Sequence, residues 1–262
     1  MNNRTLLATA ALCATAVMTL TACGGDKKDD SKGAGNSATA SPSPTKSAKP
    51  FEGLTAAQIS EKARVAMTEL KSFKGKGNMR SDGEQVTFDF AVAKKGSCQG
   101  TFTSGGASAG FREVGGATYM KGDEKFWQQM GSEDGSSSED TKALVELLKG
   151  RWFKVPAEQA KEDDKFPFCD IDGMFEKDEK DSRLTRGADT EVNGKPAVTL
   201  TGKDGAETMT LLVSAEGEPY ALRMTVEGGK EPGSFDFSAF NEPVTVTPPA
   251  ADEIVDLEKL KG

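Results

Sequence analysis

Every second residue of Gln85-Val-Thr-Phe-Asp-Phe-Ala-Val92 is apolar, and this alternation constrains the chain more than any other feature. Val86, Phe88, Phe90 and Val92 fall on one side of an extended segment, with Thr87 and Asp89 on the other. A strand with one buried face has this period of two. Met209, Leu211 and Val213 form a second stripe of the kind, and Tyr220, Leu222, Met224 and Val226 a third. Turn signals lie between the stripes: Asp82-Gly83, Gly105-Gly106, Gly115-Gly116, Asn193-Gly194, Asp204-Gly205 and Glu216-Gly217. Asx-Gly and Gly-Gly pairs accept the positive φ that tight hairpin turns require. Strands are therefore expected over 73–80, 85–92, 98–103, 108–114 and 117–121, and again over 183–192, 195–202, 206–214, 219–226 and 234–240. Strands joined so closely pair antiparallel.

Helical spacing takes over elsewhere. Thr55-Ala-Ala-Gln58 has the spacing of a capping box. Ile59, Ala63, Ala66, Met67 and Leu70 then recur about one turn apart, which predicts an amphipathic helix over 55–71. Residues 123–130 and 139–149 read as helical, the latter from Ala143, Leu144, Leu147 and Leu148, and a helical turn is expected within 170–178. A short segment, Trp152-Phe153-Lys154-Val155, separates these helices from that turn. Both groups of strands share one spacing, so residues 51–262 are expected to form a single α+β domain.

The N-terminus has a different character. Arg4 is the only charge before an apolar run from Leu6 to Leu20. The run is too short for a comfortable membrane span, which takes about 20 residues, and its length suits a signal peptide. It ends in Leu20-Thr21-Ala22-Cys23, followed by Gly24-Gly25. This resembles a bacterial lipobox, in which the peptide is cut before a cysteine that is lipidated on sulfur. Residues 1–22 are thus expected to be a lipoprotein signal peptide and Cys23 the diacylglyceryl-bearing anchor to the membrane. More than one acyl chain is needed for stable anchoring. From Gly24 to Pro50 no apolar residue exceeds alanine in size. Such a stretch cannot offset its ordering entropy by burial, so 23–50 is read as the lipidated cysteine and a disordered polar tether. As a flexible coil the tether would span about 30 Å r.m.s.. The expected location is the outer face of the cytoplasmic membrane.

Composition excludes several functions. The 262 residues contain no histidine, which rules out Ser-His and Cys-His nucleophilic sites and imidazole metal ligands. Residues 51–262 hold 27 Lys+Arg against 38 Asp+Glu. That balance argues against nucleic acid, whose phosphates need clustered cations. Gly106-Ala-Ser-Ala-Gly110 matches G-x-S-x-G in letters alone, since a nucleophile elbow needs a strand-to-helix turn and a histidine base. Asp170-Ile-Asp172-Gly173 places its glycine too early for a calcium loop and reads better as a helix start. No catalytic residue, metal or cofactor is expected. Carboxylates acting alone are the last-ranked alternative, and nothing singles out a pair. Trp127 and Trp152 either line a pocket or belong to core and rim. Cys13 leaves with the signal peptide. Outside the cytoplasm Cys98 and Cys169 are expected to form a disulfide, the alternative being two buried thiols.

The order of these segments and the ending Phe237-Ser-Ala-Phe-Asn-Glu-Pro-Val-Thr-Val-Thr-Pro-Pro-Ala-Ala-Asp-Glu-Ile-Val-Asp256 resemble actinobacterial lipoproteins of the LppX/LprA/LprF/LprG group. Those are similar in fold to the LolA/LolB lipoprotein carriers. The resemblance implies a strongly curved antiparallel half-barrel with helices on its concave face. It also implies an apolar cavity between them, which in some members holds acyl chains of lipids or glycolipids. The alternating stripes would supply the lining, with Phe88, Phe90, Met209, Leu211, Leu222 and Met224 as the expected ligand contacts. A ligand-free lipoprotein with a packed core, meeting an unidentified partner in the cell envelope, is the alternative. A cavity below about 300 Å³ would favour that alternative, since ligand sites commonly exceed this volume.

Overall fold

A computed structural model describes residues 50–94, 96–133, 135–156, 166–176 and 183–260. The signal peptide, Cys23 and the tether up to Lys49 lie outside the described residues, as do the charged residues 161–165 and Asp178. The chain divides into two units, Met1–Lys46 and Ser47–Gly262, and the architecture below is that of the second.

The chain enters this unit through α1 (Ala56–Thr68), capped as its sequence predicts. The Gln58 amide donates to Thr55 Oγ1 at 3.2 Å, and the Thr55 amide to Gln58 Oε1 at 2.9 Å. Five hairpin-connected strands follow: β1 (Ser72–Ser81), β2 (Glu84–Ala93), β3 (Ser97–Ser104), β4 (Ala107–Val114) and β5 (Ala117–Gly122). Then come α2 (Glu124–Glu133), α3 (Ser138–Leu148), β6 (Trp152–Lys154), a 3₁₀ turn over Pro167–Cys169 and α4 (Ile171–Met174). The second group of strands is β7 (Thr185–Arg186), β8 (Thr190–Val192), β9 (Lys195–Asp204), β10 (Glu207–Ser214), β11 (Ala221–Glu227) and β12 (Gly233–Ser238). β13 (Ile254–Val255) and α5 (Leu257–Leu260) close the chain.

These strands build one open, curved, mostly antiparallel sheet in the order β13-β6-β5-β4-β3-β2-β1-β12-β11-β10-β9-β7, with β8 also on β9. β1 stands between the two meanders and joins them through its antiparallel ladder with β12. Two details depart from the sequence expectation. The single strand expected over 183–192 is two short ones, because the pairing with β9 slips by one residue between Arg186 and Thr190, where Arg186 also pairs with Asp189 at 3.0 Å. β13 pairs parallel with β6 and has no sequence signal, being two residues long.

The helices share one face of the sheet. Met67 and Leu70 pack on Phe73, Phe90, Val92, Phe111 and Phe237. Ile59 and Ala63 pack on Val198, Leu200 and Val213. Trp127 and Leu148, from α2 and α3, cover Ala107 and Ala109. Every large residue of these clusters lies between Phe51 and Leu257, so the unit carries a complete core of its own.

Glycines let the inner face hold so many rings. Gly100 sits opposite Phe90 on one side and Phe111 on the other. A Cβ there would lie 2.6 Å from the Asp89 carbonyl oxygen and 2.7 Å from Phe90 Cβ. The missing side chain is the space the rings occupy.

Candidate functional site

A cavity of about 1010 Å³ lies between α1, the segment 166–176 and the helix-facing side of β10–β12. Each wall has a local cause. On α1 the helical repeat brings Ser60, Ala63 and Met67 to the same side. On the sheet, cross-strand pairing aligns Leu211 with Met224 and Met224 with Phe235. Met209 and Phe237 extend this wall. The third wall, Phe166 to Glu176, is laid over the sheet by its own side chains. Phe166 stacks on Phe111 at 4.4 Å, Phe168 covers Phe88 and Phe90 at 4.4 and 5.1 Å, and Phe175 meets Phe73 and Phe237 at 5.8 and 5.6 Å.

A disulfide holds the same segment. Cys98 of β3 is bonded to Cys169, with Cα atoms 5.3 Å apart. Both cysteines are buried in the main core cluster. Asp170 caps α4 by accepting the Asp172 amide at 3.1 Å, so this stretch begins a helix.

Apolar side chains fill the cavity walls, and charges stand among them. Four methionines face in: Met67, Met174, Met209 and Met224. Lys94 bridges two walls, donating to the Thr68 carbonyl at 2.5 Å and pairing with Asp172 at 3.1 Å. It thereby meets the carbonyl end of α1, where a cation is favoured. Arg64 pairs with Glu61 at 2.7 Å, and Glu113 is a buried carboxylate of the wall. Among the described residues no group of three or more Cys, Asp or Glu could hold a metal ion. Ser108 of the G-x-S-x-G match is an exposed residue of β4 whose amide donates to Asp123 Oδ2 at 2.9 Å. Arg223, on the far face, is pushed above its ordinary pKa by its 2.5 Å hydrogen bond to Asp236.

Of the six expected ligand contacts, Met209, Leu211 and Met224 line this cavity. Phe88 and Phe90 adjoin it beneath the Phe168 ring. Leu222 does not belong to it. The register slips by one residue between Leu212 and Val213, where Val213 pairs with Ala221 and Leu212 with Arg223. This bulge breaks the alternation, so Ala221 lines the cavity while Leu222 packs with Val192, Ala197, Leu212 and Phe240 on the opposite side. Sequence reasoning missed the α1 face, Phe235, Phe237 and the whole third wall. Phe166-Pro-Phe-Cys169 was the available signal, since two rings beside a cysteine have to be buried somewhere. Trp127 is core; Trp152 is buried on the outer face.

No family model matches the chain, and no curated protein matches it. Among solved structures it is similar to the lipoprotein LppX of Mycobacterium tuberculosis, at 14% identity and TM-score 0.49, over 73% of this chain and 98% of that one. It is similar to LprF of Mycobacterium bovis at 15% identity and TM-score 0.49, over 75% and 97%. A LolA superfamily protein of Nitrosomonas europaea follows at 12% identity and TM-score 0.19, over 74% and 96%. LppX and LprF belong to the group that the closing segment resembles.

Proposed function

We propose that the chain is an extracytoplasmic lipoprotein, anchored through Cys23, whose cavity carries the acyl chains of a lipid or glycolipid. One observation carries this reading: an opening of about 1010 Å³ between α1, the segment 166–176 and the sheet, with four methionines in its walls. Interiors of proteins are packed to crystal density, so a space of this size is a built feature. It is more than three times the volume of about 300 Å³ below which a packed, ligand-free protein would be favoured. Methionine is unbranched and polarizable, and it conforms to flexible chains that differ in length and branching. Each buried methylene adds about 0.8 kcal/mol, so an acyl chain needs no specific polar contact to bind. No helix among the described residues is long and apolar enough to cross a membrane.

The test uses residues 47–262, which hold the complete core. Native mass spectrometry should show a co-purifying lipid, and a fluorescent acyl probe should bind in competition with it. Met209→Trp, which fills the space without charge, should weaken the probe about tenfold, the equivalent of displacing roughly two methylenes. Absence of lipid together with probe binding indifferent to Met209→Trp would leave the cavity reading without support. Separately, Cys23→Ser in the full chain should release the protein from membranes.

A further inference from the structure

The opposite face of the sheet carries a second feature, a groove of about 750 Å³ across β1–β6. Pairing brings its charges together. Lys74 lies across from Ala91, Ala91 from Gln99, and Gln99 from Arg112, a single row over four strands. Lys121 stands in the next row, opposite Gly110. Trp152 anchors two of these cations. The Arg112 guanidinium carbon is 4.5 Å from the centre of the indole ring and Lys121 Nζ is 5.9 Å from it. The indole is only 9% exposed, so it is a fixed base on which both groups rest.

The groove's two carboxylates, Asp89 and Asp123, have partners other than its three cations. Asp123 accepts the amides of Phe126 and Ser108 at 2.8 and 2.9 Å. Asp89 faces Lys76 at 3.8 Å. Among the described residues, Lys74, Arg112 and Lys121 have no carboxylate within 4.0 Å, and Arg112 Nη1 donates to the Thr247 carbonyl at 3.1 Å. Residues 51–262 contain eleven more acids than bases. In a unit so acidic, two cations without a carboxylate partner over one indole, and a third lining the same groove, call for an anion from outside the chain.

We propose that this outer groove binds the phosphate-bearing headgroup of an anionic phospholipid. The phosphate would sit over Arg112 and Lys121, with Lys74 facing the same surface from the far end of the groove and the acidic remainder of the unit turned from the bilayer. The choice of lipid as the anion's source rests on the anchoring proposed above. Twenty-seven residues separate Cys23 from Phe51, where the unit bearing the groove begins.

The experiment measures sedimentation of residues 47–262 with vesicles of phosphatidylglycerol or of phosphatidylcholine at low salt. Binding to phosphatidylglycerol alone is expected, fading as salt screens the charges. Lys74→Gln/Lys121→Gln should lower partitioning about 25-fold, roughly fivefold per cation. Lys195→Gln/Lys230→Gln removes the same charge away from the groove and should leave partitioning unchanged. Equal loss in the two double variants, or equal binding to both vesicle types, would overturn the proposal. So would binding of inorganic phosphate, abolished by Lys74→Gln/Lys121→Gln, without any binding to vesicles; the groove would then serve a soluble phosphoester. Acyl-probe binding in the cavity is expected to be the same in all these variants, so either reading can fail while the other stands.

Discussion

Removing the Cys98–Cys169 bond should cost the protein far more stability than ligand affinity. The two cysteines are 71 residues apart in sequence, and the bond closes that loop in the unfolded chain. In the chain-entropy account a loop of this length is worth about 4 kcal/mol. For a domain of some 200 residues, each kcal/mol moves Tm by about 2–4 °C, so Cys98→Ala/Cys169→Ala should melt about 8–16 °C lower. The cavity wall has other anchors. Phe166, Phe168 and Phe175 each rest on rings of the sheet, at centroid distances from 4.4 to 5.8 Å. Such pairs contribute about 0.5–1.5 kcal/mol each beyond their burial. The segment should therefore stay seated in the folded variant and acyl-probe affinity should change little. Thermal melts of the wild type, the reduced wild type and the double variant make the comparison, with probe titration below the lower Tm. Reduced wild type and variant should agree, because the shared loss is the cross-link. An unchanged Tm in the variant, or two reactive thiols in unreduced, denatured wild type, would refute the reasoning.

Two further substitutions probe how the elements are set. Gly100→Ala should destabilise by about 1–3 kcal/mol, measured by urea unfolding, since its Cβ would press on the Asp89 carbonyl and the Phe90 side chain. Thr55→Ala should cost about 1 kcal/mol by removing the cap of α1, with Thr55→Ser restoring most of it.

Much of the architecture was legible because its signals are local. The strand of 85–92 declares itself by alternation, and the turns by paired glycines at positive φ, among them Gly105-Gly106 and Gly115-Gly116. The capping box at Thr55 marked the start of α1 to the residue. Half of the expected ligand contacts, Met209, Leu211 and Met224, face the cavity for the same reason: alternation along a strand decides which side a residue takes. Leu222 shows where that rule stops. A bulge depends on how two strands pair, and nothing in Tyr220 to Val226 announces the slip.

The sequence by itself determined the elements, the hairpin order and the exclusion of histidine-based chemistry, because propensity, period and composition act within a few neighbouring residues. Tertiary structure alone decided that β1 joins the two meanders through β12 and that a two-residue β13 lies parallel to β6. It alone laid residues 166–176 over the sheet and left a space beneath them. Nine methionines in the chain are no excess, yet four of them meet in one cavity from α1, the 166–176 wall and two strands. Lys74, Arg112 and Lys121 are likewise dispersed in sequence and come to one groove only through the pairing of β1 to β5. Cavities and charge clusters are sums over distant segments, fixed by how the sheet curves and what packs against it, and no local pattern encodes them.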